Sequence, residues 1–163
     1  MTILVAGVGN IFLSDDAFGC EVVRALAGRA VPDGVQITDF GIRGVHLAYQ
    51  LLDGCDLLVL VDAAPRGNDP GTVSLLDVEL DKIEPTDGPL VDAHGMAPVP
   101  ILSMLASLGG RVARVLVVAC EPESVEEGIG LSAVVSAAVP RAVELVEEVI
   151  TGVHESVKEV SNR

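Results

Sequence analysis

The chain has 163 residues, and its 10 Lys and Arg against 24 Asp and Glu give a formal charge of −14, which repels phosphate backbones and anionic lipid and excludes nucleic acid and membrane surfaces as first partners. Half of the residues are hydrophobic but only 2% aromatic, so the core has to be built from Val, Leu, Ile and Ala, the composition of parallel strands buried under helices. No apolar run approaches the roughly 18 residues of a membrane span, no basic leader opens the chain, and the three cysteines are odd in number and set in apolar surroundings; these features predict one cytoplasmic domain over residues 1–163 with free, buried thiols.

TILVAG (2–7) reads as a buried strand ended by glycines, and EVVRALAGR (21–29) places apolar residues at helical spacing. VQITDF (35–40) alternates as a strand, GVHLAYQLL (44–52) reads as a helix, and DLLVLVDAA (56–64) as a fully buried strand. This βαβαβ run implies a parallel sheet with right-handed crossovers. GTVSLLDV (71–78) follows a turn signal closely enough to form an edge strand, and the acidic, proline-bearing stretch from Asp77 to Pro98 predicts a long surface loop. A helix past Pro100 stops at Gly109 and Gly110, RVARVLVVAC (111–120) supplies the fifth strand, and SAAVPRAVELVEEVI (136–150) is the strongest amphipathic helix, with Pro140 kinking it or marking its first turn. The tail from about residue 151 thins in apolar content and is expected to fray. The fold class is α/β, a three-layer sandwich with a twisted, mostly parallel five-stranded sheet between helices.

The chemistry concentrates in ILVAGVGNIFLSDDAFG (3–19). A dinucleotide fingerprint needs a third glycine where Phe12 stands, and no Gly-Lys-Ser/Thr follows for a phosphate loop. Phosphate would also meet Asp15 and Asp16 at a helix N-terminus, where Ser14 or one acid is expected as the cap. In an open α/β sheet, ligands sit beyond the carboxyl ends of the strands, and Asp16, Asp39 and Asp62 all fall there. Asp62 interrupts an apolar strand, where a charge costs several kcal/mol unless it is paired or metal-bound. Two carboxylates about 4 Å apart repel by roughly 4 kcal/mol at an effective dielectric of about 20. Asp16 and Asp62 must therefore share a proton or a cation, and His94, in VDAHGMAP, is the candidate third ligand for nickel, zinc or iron. His46 and His154 read as surface histidines.

These residues, with LLVLVDAAP, the AHGM loop and ACEPESVEEGIGLSAVV, make the chain resemble the hydrogenase maturation endopeptidases over nearly its whole length. The resemblance implies a peptidase that removes a C-terminal extension from the large-subunit precursor of a nickel–iron hydrogenase once nickel is inserted. It implies Asp16, Asp62 and His94 as metal ligands and catalytic residues, nickel supplied by the substrate, and no organic cofactor. It also implies a docking edge at Asp39 and the FGIRG turn (40–44), with Gly41 and Arg43; Arg43 stands where the family often carries a small polar residue, and Ala17 where glycine is common. Two other readings fit the residues: a chaperone that binds the metal-loaded subunit without cutting, and an aspartic-type protease in which Asp16 and Asp62 share a proton without metal.

Overall fold

Ile3–Val8 form the first strand, β1, buried along its whole length. The computed structural model describes residues 1–83 and 98–161, with side chains through residue 152. Four more strands, β2 (Val35–Gly41), β3 (Leu57–Ala63), β4 (Val73–Asp77) and β5 (Arg114–Cys120), complete one sheet in the order β2-β1-β3-β5-β4. All pairs are parallel except the edge strand β4, which runs antiparallel to β5. The helices are α1 (Phe18–Leu26), α2 (Gly44–Leu51), α3 (Val99–Ser107) and α4 (Ala133–Ser161), and two short 3₁₀ turns lie at Ser14–Ala17 and Leu80–Lys82. This is the sandwich that the composition predicts.

Strand periodicity divides the core in two. Ile3, Val5, Val59 and Val61 point to the face covered by α1 and α4. Leu4, Ala6, Leu58 and Leu60 point to the face covered by α2 and α3, and the same period of two assigns Asp62 to that second face. Because α1 follows β1 on one face and α2 follows β2 on the other, the chain reverses direction across the sheet between β1 and β3. Such a reversal opens a crevice at the carboxyl ends of the strands. Gly44, at the start of α2, lies against Ile101 near the start of α3, so both helices begin at that same end.

Three expectations shift. The third helix opens at Val99, ahead of Pro100 rather than past it, because a proline in the first turn lacks only an N–H that has no intrahelical partner anyway. The last helix opens at Ala133, which places Pro140 inside it. Its backbone continues to Ser161, so the tail expected to fray from about residue 151 is helical over that span; no Gly or Pro follows Gly152 to stop it. Among the described residues no helix is long and apolar enough to cross a membrane.

Candidate functional site

The glycine turn after β1 is shaped around an acid. Gly9 has φ +140°, and a Cβ there would lie 1.9 Å from the Asp16 carbonyl oxygen, so only glycine lets the 3₁₀ turn fold back over the strand end. The Asn10 N–H donates to Asp16 Oδ2 at 2.8 Å, fixing a carboxylate that is 6% exposed. Gly19 closes the same corner, since a Cβ would lie 2.0 Å from the Val61 carbonyl oxygen and 2.5 Å from that of Val8. Helix α1 thereby packs directly on the ends of β1 and β3 and brings Asp16 to the crevice.

Asp62 enters from the other side of the crevice, at the end of β3 and 7% exposed. Burial pushes its carboxyl well above the ordinary value of 3.8, the Asp16 charge adds to the rise, and a hydrogen bond from the Ala63 backbone opposes it. The two acids thus meet electrostatically where the topology opens. A pair held in this way binds a proton or a cation more readily than two free carboxylates.

Asp15 takes no part in this. Its carboxylate is fully buried and accepts from the Glu123, Ser124 and Ser132 N–H groups at 2.9, 3.1 and 2.7 Å, and from the Ser132 hydroxyl at 2.9 Å. Burial alone would raise its pKa, but these four bonds overcome that and hold it below 3.8. Ser132 directly precedes α4, so the charge also faces the positive end of that helix. Neither acid, nor Ser14, caps by its side chain the helix that follows it, which corrects the capping expectation. The structural role of Asp15 is not visible locally, although a serine just ahead of an apolar-periodic helix was a signal that Ser132 belongs to a helix start.

The turn after β2 forms the third wall. Asp39 Oδ1 accepts from the Gly41 N–H at 3.0 Å, and the Gly9 N–H donates to the Gly41 carbonyl at 3.0 Å, tying this turn to the acid turn. Arg43 folds back, its guanidinium donating to the Asp39 and Phe40 carbonyls at 2.7 and 3.1 Å. Between the turns lies a cleft of about 460 Å³, lined in part by Phe12, Cys20, Asp39 and Ile42. Burial, with a hydrogen bond and charge from Asp39, pushes the Cys20 thiol up to about 12, so it is not a nucleophile at neutral pH.

His94 lies outside the described residues. Among the described residues, no group of three or more His, Cys, Asp and Glu is placed to hold a metal. His46 is exposed on α2.

A family model described as hydrogenase maturation protease matches residues 20–149. The chain belongs to the hydrogenase maturation protease family. It is 35% identical to the hydrogenase 2 maturation protease of Escherichia coli over 96% of this chain and 93% of that protein. It is 32% identical to coenzyme F420 hydrogenase subunit delta of Methanothermobacter thermautotrophicus over 88% and 91%. The fold superposes on the hydrogenase maturating endopeptidase HybD from E. coli with a TM-score of 0.75 at 34% identity, covering 96% of this chain and 94% of that one. A hydrogenase maturation protease HycI from Thermococcus kodakarensis gives 0.70 at 26% identity, covering 92% of each chain. This maturation protease is therefore a peptidase, which sets aside the chaperone that never cuts.

Proposed function

We propose that this maturation protease removes a C-terminal extension from the large-subunit precursor of a nickel–iron hydrogenase, and that it reads the nickel already installed in that substrate. The observation that carries the reading is the buried pair, Asp16 and Asp62, held at the topological crevice with Asp62 driven toward its protonated form. A cation relieves both the burial cost and the mutual repulsion. His94 would complete a mixed oxygen and nitrogen donor set of the kind that suits nickel; it stands five residues upstream of α3 in sequence, and α3 opens at the acid-bearing end of the sheet.

In this reading the metal arrives as part of the substrate and supplies Lewis-acid chemistry to the scissile carbonyl or to a water. The protein's own contribution is placement. The Asn10 N–H orients Asp16, Gly9 and Gly19 allow the close approach, and the Asp39–Arg43 turn borders the path of the extension. Arg43 serves there by bonding the Asp39 and Phe40 carbonyls, so Asp39 and Gly41 offer the turn's contacts to substrate on a fixed backbone.

The test is mass spectrometry of nickel-loaded precursor incubated with wild type, Asp62→Asn and His94→Ala. Loss of a C-terminal peptide with wild type, and with neither variant, is expected. Cleavage by His94→Ala but not Asp62→Asn would replace the metal reading with the metal-free carboxylate dyad; equal cutting of nickel-free precursor would remove the nickel requirement.

A further inference from the structure

The loop between β5 and α4 presents apolar side chains to solvent on a backbone that is not free to move. In this loop Ile129 is 84% exposed and Val125 49%, and Phe12 in the adjoining acid turn is 60% exposed. Scattered exposed apolar residues need no explanation, but a contiguous set on a fixed backbone does. Hydrogen bonds tie the two segments together: the Gly128 N–H donates to the Phe12 carbonyl at 2.9 Å, and the Ser14 N–H donates to the Gly128 carbonyl at 2.9 Å. The Ser14 hydroxyl adds a bond to the Glu126 carbonyl at 2.7 Å, and Asp15 anchors both ends of the loop through Glu123, Ser124 and Ser132. The loop backbone at Gly128, next to Ile129, is therefore fixed against residues 12–14, and Phe12 is two residues along the chain from Asn10, whose N–H bonds Asp16.

The same loop carries Glu123, Glu126 and Glu127, all exposed, and among the described residues none of them forms an ion pair. An apolar centre with an unneutralised acidic margin is complementary to an apolar patch with a basic rim.

Resting on the function proposed above, we infer that Phe12, Val125 and Ile129, flanked by Glu123, Glu126 and Glu127, form a docking ridge for the precursor. The ridge engages an apolar patch with a Lys- and Arg-bearing rim on the body of that subunit, and holds the scissile segment over Asp16. Phe12 also lines the cleft beside the Asp39–Arg43 turn, so the ridge borders the cleft and grips the substrate body next to the extension.

The experiment measures Kd for nickel-loaded precursor by biolayer interferometry, and kcat and KM by timed mass spectrometry, for wild type, Ile129→Ser, the pair Val125→Ser with Ile129→Ser, and the triple Glu123→Gln, Glu126→Gln, Glu127→Gln. The serine pair should raise Kd and KM about tenfold or more, as truncated apolar anchors do, with kcat within about twofold and an unchanged melting temperature. Ile129→Ser alone keeps the test clear of the acid turn and should show most of the effect. The triple variant should slow association at low salt and flatten its salt dependence. If wild type cuts but Kd and KM of the serine variants stay within about twofold of it, the ridge is wrong and the protease reading stands. Where wild type binds without cutting, the protease reading fails and Kd alone judges the ridge; if it neither binds nor cuts, both fall. A wild-type dimer in sedimentation that the serine variants dissociate, with KM unchanged, would reassign the patch to self-association and overturn the proposal.

Discussion

Asp15 and Asp16 are adjacent, both buried, both in one 3₁₀ turn, and they differ in what surrounds them. Asp15 is met by four donors and lies below its ordinary pKa. Asp16 faces another carboxylate, Asp62, which burial first and the Asp16 charge second push above its own ordinary value. A charge whose partners are all supplied by the fold stabilises the fold. Asp62, buried and opposed by a like charge, costs stability, and its place in the crevice makes the pair a candidate for a ligand from outside.

The largest effects should separate these roles. Asp62→Asn should lower processing about a thousandfold or more, the scale of losing several kcal/mol of transition-state stabilisation, and leave the denaturant midpoint equal to wild type or higher, because it removes a buried, repelled carboxyl of the same size. Asp15→Ala should do the reverse in kind. Stranding the donors from Glu123, Ser124 and Ser132 should cost about 3–5 kcal/mol in urea unfolding, and any loss of processing should track the unfolded fraction or the release of the 123–132 loop. A stable Asp15→Ala protein, or an Asp62→Asn protein that unfolds, would collapse the distinction.

The next effect is one of sign. Asp15 has a folded pKa below 3.8, so its contribution is present above the unfolded value and is lost as pH falls through the folded one. Asp62 has a folded pKa above 3.8, so its folded state keeps a proton that the unfolded chain releases, and stability falls as pH rises from about 3.8 to the folded pKa. Urea midpoints measured across pH should show Asp62→Asn with a flatter decline above about pH 4, and Asp15→Asn with a flatter decline below it. Identical slopes for both variants would mean that the two carboxyls share one environment after all.

Much of this was legible in the sequence, for reasons particular to the residues. β1 and β3 announce themselves because strands buried on both faces have no polar positions, and Asp62 stands out because it interrupts such a run. The choice between Asp15 and Asp16 was not legible from local pattern, since either serves equally as a first-turn acid. What decides it is a loop up to 117 residues away in sequence. Its place beyond the first strand made Asp16 a candidate, and the family resemblance named it, rather than Asp15, as the ligand. The exposed ridge was equally hidden, because VEEGIGLS reads as an ordinary acidic loop until its bonds to the acid turn are seen. The reach of α4 is hidden because apolar content falls after Gly152 while no helix stop follows it.

The smallest expected effect tests whether anything else in the crevice competes with the acids. Cys20 sits in the cleft wall, its thiol 3.8 Å from the Gly9 carbonyl, close enough to the acid turn to invite a role as nucleophile. With its pKa pushed up to about 12 by burial and by Asp39, the thiol stays protonated at neutral pH, and nucleophilic chemistry at sulfur requires the thiolate. Cys20→Ala should therefore change processing by no more than about twofold, and pretreating wild type with iodoacetamide under native conditions should leave the rate unchanged. The thiol is a small hydrophobe filling the corner that Gly9 and Gly19 create. If alkylation stopped processing and Cys20→Ala were equally dead but fully folded, the chemistry would move from the Asp16–Asp62 crevice to the cleft, and the contrast between the neighbouring acids would no longer locate the site.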